Sequence, residues 1–241
     1  KAANLTSEDC VFEIGPGKGI LTKIIAPIVN NLTTVEIDKT LFSQLSAFFS
    51  FHNQKNIDLI NADILKFDIP ADKSFKFISN LPYNIGTAII QKLLPLPNWT
   101  SAVFMLQKEV AHRIISESGS KDYGYLSIFC SYYAESELLF DVSPSCFNPK
   151  PKVVSSVIKF TNKKAPPPDD DFFKLVKFCF SMRRKTILNS LSSFTELEKN
   201  KTIEILKSCS INEMLRPDKL SVFHFLILTK ALKKYKIITD F

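Results

Sequence analysis

The feature that most constrains the fold is an alternation of short apolar segments with segments of helical spacing. Short apolar runs of strand length occupy CVFEIG (10–15), LTTVEI (32–37), IDLINAD (57–63), FKFISN (75–80) and SAVFMLQ (101–107). Segments with a period near 3.6 lie between most of them, at 21–29, 41–49 and 84–94, and a further one follows the fifth run at 108–118. Such an alternation predicts βαβ crossovers and a mostly parallel, doubly wound α/β sheet. Asn84 is the expected cap of the third helix.

The pattern changes after residue 125. The segment 126–134 is predicted to be helical, and two strands at 137–142 and 152–160 follow without a helix between them. This predicts an antiparallel edge strand. The stretch TNKKAPPPDDD (161–171) reads as a linker, and three helical segments follow it. We therefore predict two domains, a catalytic α/β domain over 1–162 and a small all-α domain over 163–241.

The net charge of +7 is confined to the predicted helical domain. Residues 1–160 carry 15 Lys and Arg against 15 Asp and Glu, whereas residues 161–241 carry 16 against 9. This asymmetry indicates a neutral domain for chemistry joined to a basic domain that docks on a polyanion. A lysine-rich helical surface that is merely solvated explains the charge equally well.

Several classes of protein are disfavoured by what the sequence lacks. No apolar run approaches the roughly 20 residues of a membrane helix, and the first ten residues do not resemble a secretory signal. The expected location is therefore the cytoplasm. The five cysteines and three histidines are not at metal-ligand spacing, so neither a metal site nor a disulfide framework is expected.

A glycine-rich turn is predicted between the first strand and the first helix. In FEIGPGKG (12–19), Gly15, Gly17 and Gly19 have the spacing G-x-G-x-G, which differs from the dinucleotide pattern G-x-G-x-x-G. Glycines let a backbone turn tightly and approach a ligand, and the helix behind them offers free N–H groups. Alternatively, the glycines serve only the packing of a tight turn.

Acidic residues lie at the ends of the second and third predicted strands. Glu36 could accept hydrogen bonds from both hydroxyls of a ribose, which suits NAD and S-adenosylmethionine alike. Asp63 could accept from an adenine amino group, or it could simply cap the next turn. Both residues lie at the carboxyl edge of the sheet, where doubly wound folds bind ligands.

The stretch SNLPYN (79–84) follows the fourth strand at the same edge. The Asn80 side-chain oxygen and the Leu81 carbonyl could accept hydrogen bonds from an exocyclic amine and favour its pyramidal, nucleophilic form. Pro82 would hold this turn rigid, so that the acceptors are already in place. Tyr83 could stack on a base that has been flipped into the site.

At this point the sequence resembles the ribosomal RNA adenine N6-dimethyltransferase family, and within it the bacterial small-subunit dimethyladenosine transferases. The resemblance implies a class I methyltransferase fold, and it covers nearly all of residues 10 to 220. The matching segments, in family order, are EIGPGKG, VEID, NADILKFD, SNLPYNI, MLQKEVAHRI, GSKDYGYLS, FNPKPKVVSSV and FSMRRKTILNSL.

The resemblance also implies which residues form the site. The cofactor would be S-adenosylmethionine, contacted by Gly15, Gly17, Glu36, Asp63, Ile64 and Asn80. The target amine would be held by Asn80, Leu81, Pro82 and Tyr83, with Phe147 as a second aromatic opposite Tyr83, although Phe147 could also be a simple core residue. Family members carry a G-Q-N-F-L segment before the first strand, and the sequence begins after that point. A chain truly lacking this segment should bind the cofactor poorly.

The basic tail would select the substrate. Arg183, Arg184 and Lys185 would contact phosphates of 16S rRNA in the small ribosomal subunit, or they form a solvated helix face. The implied reaction is dimethylation of two adjacent adenosines near the 3′ end of that RNA, by a monomer. Three alternatives remain open. They are a large-subunit rRNA methyltransferase of the macrolide-resistance type, a non-catalytic nucleic-acid-binding or assembly factor on the same fold, and a nicotinamide-dependent dehydrogenase.

Overall fold

The computed structural model describes residues 2–166 and 170–235. These residues form seven β-strands and nine α-helices. Along the chain, a first group mixes strands and helices, and a second group contains α-helices only. The first group is β1 (Cys10–Ile14), α1 (Ile20–Ile25), β2 (Asn31–Glu36), α2 (Lys39–Phe51), β3 (Ile57–Asn61), β4 (Phe75–Asn80), α3 (Gly86–Leu93), β5 (Trp99–Gln107), α4 (Lys108–Ile115), α5 (Tyr125–Tyr133), β6 (Ala134–Val142) and β7 (Ser155–Asn162). The second group is α6 (Asp170–Ser181), α7 (Ile187–Thr195), α8 (Lys199–Ser208) and α9 (Val222–Lys234).

The seven strands form one sheet in the order β3-β2-β1-β4-β5-β7-β6. The pairs among β1 to β5 are parallel, whereas β7 runs antiparallel to both of its neighbours, β5 and β6. The predicted α/β class, with a mostly parallel sheet and an antiparallel pair at one edge, is thus confirmed. Because β1, β2 and β4 are adjacent and parallel, the turns that follow them meet at one edge of the sheet.

The chain divides into two compact units. The first comprises Lys1–His112 and Tyr133–Lys164, and the second comprises Arg113–Tyr132 and Ala165–Phe241. The later boundary lies two residues beyond the predicted division at 162/163. The segment Arg113–Tyr132, which was expected in the first domain, groups with the C-terminal helices.

The first unit is built around the sheet, whose central strands are almost wholly buried. Helix α1 packs Ile25 onto a cluster with Val11 of β1 and Ile78 of β4. This helix ends at Ile25, two residues before Pro27, whose missing N–H and bulky ring prevent its continuation.

The second unit has its own apolar core. Tyr123 and Ile128 are buried there together with residues from α6 to α9, including Phe172 and Phe225. The Tyr123 hydroxyl donates a hydrogen bond of 2.9 Å to the carbonyl of Leu220. The segment Arg113–Tyr132 is therefore part of the hydrophobic core that the C-terminal helices share.

Candidate active site

The glycine turn after β1 adopts a backbone that favours glycine at three positions. The φ angles are +61° at Gly15, +58° at Gly17 and +75° at Gly19, all in the left-handed region. A Cβ at Gly19 would collide with the side chain of Leu45, whereas one at Gly17 would meet no atom within 4 Å. Gly19 therefore serves packing, while Gly17 faces open space in which a ligand could lie.

Glu36 closes this turn from the end of β2. One carboxylate oxygen accepts a hydrogen bond from the Gly17 N–H at 3.0 Å, and the other accepts from the Asp38 N–H at 2.9 Å. The side chain of Asn61 donates to the Glu36 carbonyl at 2.8 Å, which fixes the end of the strand. Since a carboxylate has about four acceptor positions, two remain for the hydroxyls of a ribose. The local geometry thus fits the group that the sequence predicts here.

Asp63 and Ile64 follow the tip of β3. One carboxylate oxygen of Asp63 accepts from the Leu65 N–H at 2.9 Å, so the capping role that was left open is present. The second oxygen leaves room for another donor. Ile64 is 5% exposed and belongs to the buried part of the unit. Contact of either residue with a cofactor stays a prediction.

The SNLPYN turn is attached to the glycine turn at the tip of β4. The Ser79 hydroxyl donates to the Ile14 carbonyl at 2.5 Å, directly before Gly15. A Cβ at Gly15 would also lie 3.9 Å from Pro82 Cγ, so the two motifs pack closely. The predicted cofactor turn and the predicted acceptor turn are therefore neighbours.

The backbone of this turn is held at both ends. The Leu81 N–H donates to the Met105 carbonyl at 3.1 Å, and the Ile85 N–H donates to the Pro82 carbonyl at 3.2 Å. Leu81 is 1% exposed, whereas Asn80 is exposed. The apolar residue thus anchors the turn and leaves the Asn80 amide accessible to a ligand.

The two aromatic residues of the predicted base pocket lie in the same unit. Tyr83 is half-buried, and its hydroxyl lies 2.6 Å from the Ser155 hydroxyl. Phe147 is also half-buried and follows a short 3-10 turn over Pro144–Cys146. Among the described residues, no ring contact joins Phe147 to Tyr83. Their arrangement on opposite faces of a base therefore stays a prediction.

A cavity of about 430 Å³ extends from Asn80 over the face of the sheet. Its lining is mainly apolar and includes Leu21 and Ile24 of α1 as well as Met105 of β5. Of the predicted site residues, Asn80 alone lines it. The cavity therefore borders the predicted amine position without containing the glycine turn.

Glu13 of β1 is a buried carboxyl group two residues before Gly15, at the edge of the sheet that carries the glycine turn. It is 2% exposed, and among the described residues its Oε2 atom has no hydrogen-bond partner. Burial, together with the nearby charge of Glu36, raises the pKa of Glu13 from 4.5 to about 7. The nearby Thr22 hydroxyl acts in the opposite direction and lowers the pKa of Glu13, while the Thr34 hydroxyl is buried without a hydrogen-bond partner in the described part of the chain.

The three predicted RNA-contacting residues, all in the second unit, differ in their contacts and in their exposure to solvent. Arg183 donates to the Lys121 carbonyl at 2.6 Å and lies 3.9 Å from a carboxylate oxygen of Asp218. Arg184 and Lys185 are exposed. The guanidinium of Arg183 therefore binds within the unit, while its two neighbours point their charge to solvent.

Other kinds of site are not seen in the described residues. Within residues 2–166 and 170–235, no helix has the length and apolar character that crossing a bilayer requires. The same residues contain no group of three or more His, Cys, Asp or Glu side chains able to hold a metal ion.

Three residues at the site were given no role by the sequence reasoning, namely Ser79, Ser155 and Glu13. Each is a polar residue inside an apolar strand, and each is at most 2% exposed. A polar residue within a buried strand must find a partner or a function, so this pattern is the signal that could have singled them out.

The sheet order, the glycine turn after β1 and the acid at the end of β2 define a class I, S-adenosylmethionine-dependent methyltransferase. A family model described as "Ribosomal RNA adenine dimethylase" matches residues 1–233. The chain therefore belongs to the ribosomal RNA adenine dimethylase family. The predicted family, its enzymatic class and its cofactor, S-adenosylmethionine, are confirmed.

Two bacterial relatives illustrate the similarity in sequence. The chain is 40% identical over 248 residues to the ribosomal RNA small subunit methyltransferase A of Alkaliphilus oremlandii, covering 96% of this chain and 85% of the relative. It is 41% identical over 222 residues to the protein of the same name from Malacoplasma penetrans, covering 88% and 78%.

Two solved structures have the same fold over nearly the whole chain. A dimethyladenosine transferase from Plasmodium falciparum is 26% identical, with a TM-score of 0.86 over 98% of this chain and 94% of that one. The 23S rRNA methyltransferase ErmE is also 26% identical, with a TM-score of 0.70 over 96% and 94%.

Proposed function

We propose that this enzyme dimethylates the N6 atoms of two adjacent adenosines near the 3′ end of small-subunit (16S) rRNA, during ribosome biogenesis. The observation that carries the proposal is the SNLPYN turn, fastened beside the glycine turn by the Ser79 to Ile14 hydrogen bond. This arrangement would put amine acceptors next to the cofactor. Asn80, Leu81, Pro82 and Tyr83, with Phe147, form the proposed catalytic group.

The choice of RNA is supported by the bacterial relatives, whose names specify the small subunit. The structural neighbour ErmE is named for 23S rRNA, so a large-subunit substrate is the alternative to be tested. A purely non-catalytic role is less well supported, because the exposed Asn80 and the held turn retain the groups that methyl transfer requires.

The proposed chemistry needs acceptors more than it needs a base. The adenine N6 lone pair is delocalised into the ring, so the amine is a weak nucleophile. The Asn80 side-chain oxygen and the Leu81 carbonyl would accept hydrogen bonds from the two N–H groups of the amine and favour its pyramidal form. Because the nitrogen becomes acidic as it gains a methyl group, a strong general base is unnecessary.

The residues around the glycine turn are suited to the cofactor. Gly17 faces open space, and Glu36 retains two acceptor positions for the ribose hydroxyls. Gly15, Asp63, Ile64 and Asn80 would complete the contacts. When bound, S-adenosylmethionine would supply an electrophilic methyl group on its sulfonium. The chain's own residues would orient the amine toward it and exclude water.

The partner would be the small ribosomal subunit, bound by a monomer in the cytoplasm. Arg184 and Lys185 are exposed and would contact phosphates, which position an RNA without reading its sequence. Arg183 would act mainly by holding the loop at Lys121 in place. The excess of positive charge in residues 161–241 supports an electrostatic mode of docking.

The proposal is tested by incubating the protein with labelled S-adenosylmethionine and unmethylated small or large ribosomal subunits, then mapping the label. We expect label on two adjacent adenosines of the small-subunit RNA. Label on the large subunit would redirect the assignment, and no label on either RNA would contradict it.

The same assay tests Asn80. The variant Asn80→Ala should lose methyl transfer by about 100-fold or more, as expected for removal of a preorganised acceptor. Its fold and RNA binding should stay intact, because the side chain is exposed. The matched control is Asn200→Ala, an equivalent change at an exposed position of α8. Full turnover by Asn80→Ala would remove the assigned role.

A further inference from the structure

The hydroxyl groups of Tyr83 and Ser155 are 2.6 Å apart and form a hydrogen bond. Tyr83 lies in the turn after β4, whereas Ser155 is the first residue of β7, 72 positions away along the chain. Ser155 is 0% exposed, so water does not compete with Tyr83 for its hydroxyl. The bond therefore connects the base-binding turn to a distant strand.

The strand end that carries Ser155 is itself fixed by several contacts. Ser155 is paired with Gln107 of β5 on one side and with Val142 of β6 on the other. The neighbouring Ser156 donates to Asp141 at 2.6 Å, and Lys108 forms an ion pair with the same carboxylate at 2.6 Å. These two contacts hold the Asp141 pKa below its usual value. The strand pairing and the neighbouring contacts therefore fix the position of Ser155 in the sheet.

We infer that Ser155 is a positioning residue that holds the Tyr83 ring in the orientation needed to stack on the target adenine. The inference rests on the proposed function. The backbone fixes one end of the tyrosine side chain, and Ser155 fixes the other at the phenol oxygen. Together they set the long axis of the ring, and Tyr83 as a whole is only half-buried. Ser155 takes one hydrogen-bonding position of the phenol oxygen, and Tyr83 would contact the base through its ring.

Activity measurements on three variants test this. We expect Ser155→Ala and Tyr83→Phe each to lower kcat for methyl transfer by about 5-fold, the effect of one hydrogen bond, with KM for S-adenosylmethionine unchanged. The double variant should lose no more than either single variant, since both remove the same bond. Losses that multiply in the double variant, or full activity of Ser155→Ala, would overturn the inference.

The matched control is Ser156→Ala. It removes a neighbouring hydroxyl of the same strand, which bonds to Asp141 and not to Tyr83. We expect this variant to keep nearly the full kcat, even if its melting temperature falls, because Ser155 stays paired with Gln107 and Val142 without the Ser156 hydroxyl. A kcat loss equal to that of Ser155→Ala would mean that the strand end matters in general, and the specific role of Ser155 would be refuted.

A second readout does not depend on activity. With fluorotyrosine incorporated, the ¹⁹F resonance that disappears in Tyr83→Phe identifies Tyr83. We expect Ser155→Ala to shift or broaden that resonance and Ser156→Ala to leave it in place. An unmoved Tyr83 resonance would sink the inference whatever the kinetics. A wild-type protein that methylates no ribosomal RNA would overturn the proposed function instead, and the spectrum would still decide whether Ser155 fixes Tyr83.

Discussion

At the scale of a single residue, Glu13 is a buried carboxyl group whose ionisation destabilises the folded state. Its carboxyl group is 2% exposed beneath the glycine turn, and one oxygen lacks a partner among the described residues. Burying an ionised carboxylate without a partner is unfavourable, so the pKa rises to about 7. The residue is therefore close to half-protonated near neutral pH.

The Glu13 pKa predicts a dependence of stability on pH. Between pH 4.5 and 7 the folded state holds a proton that the unfolded state has released, so stability falls as the pH rises and levels off above 7. Glu13→Gln removes this titration. Its stability relative to the wild type should therefore increase by about 2 kcal/mol between pH 5 and pH 8. Urea unfolding at the two pH values measures this, and a constant difference would contradict it.

Glu36 gives a second prediction at this scale. Replacing it by alanine removes the proposed ribose acceptor and releases the N–H groups of Gly17 and Asp38. We expect Glu36→Ala to weaken S-adenosylmethionine binding by more than 10-fold in calorimetry while leaving RNA binding nearly unchanged. Unchanged cofactor affinity would show that the ribose is held elsewhere.

At the scale of elements, the sequence predicted the strands and helices better than their ends. The predicted strand at 152–160 begins instead at Ser155, because Val153 and Val154 are exposed and lie outside the ladder. The prediction that Asn84 caps the third helix was wrong. Helix α3 begins at Gly86 with Ile85 at the capping position, since the Ile85 N–H closes the preceding turn on Pro82. Local helix propensity takes no account of the backbone hydrogen bond that closes the preceding turn.

The end of α6 supplies a prediction about stability. Arg183 bonds to backbone carbonyls of the 113–132 segment, so Arg183→Ala should leave these carbonyls without their charged donor. We expect the melting temperature to fall by a few degrees, as for a loss of about 1 kcal/mol. Arg184→Ala is the control, because its side chain is exposed and should leave the melting temperature unchanged. Equal effects in both variants would contradict the distinction.

At the scale of the whole molecule, the alternation of apolar runs was enough to predict the sheet class, and the motif spacing was enough to predict the family. The glycine turn, Glu36 and SNLPYN were found because each lies at the carboxyl end of a strand, on the ligand-binding edge of the sheet. The grouping of Arg113–Tyr132 with the C-terminal helices could not be found in this way. It depends on long-range packing of residues such as Tyr123, which no linker composition or local periodicity reveals.

The charge distribution gives a prediction at this scale. Replacing Arg184 and Lys185 by glutamine removes two exposed cations while leaving Arg183 in place. The slope of log affinity for the small subunit against log salt should decrease by about one to two units, since each phosphate contact contributes roughly 0.7 to 0.9. Lys201 and Lys207, also exposed on α8, provide the matched control pair. An unchanged slope would locate the RNA contact elsewhere.

The placement of β7 has a consequence for the order in which the protein can fold as it is synthesised. Within the described part of the chain, strand β6 pairs with β7 alone, and β7 comes later in the sequence. A nascent chain that ends at Val142 therefore carries β6 with both edges open. The segment Arg113–Tyr132 is also made before the helices with which it shares a core. The second unit is therefore synthesised partly before and partly after β6 and β7 of the first unit. Release of the chain at any point before α9 would leave apolar surface exposed to chaperones.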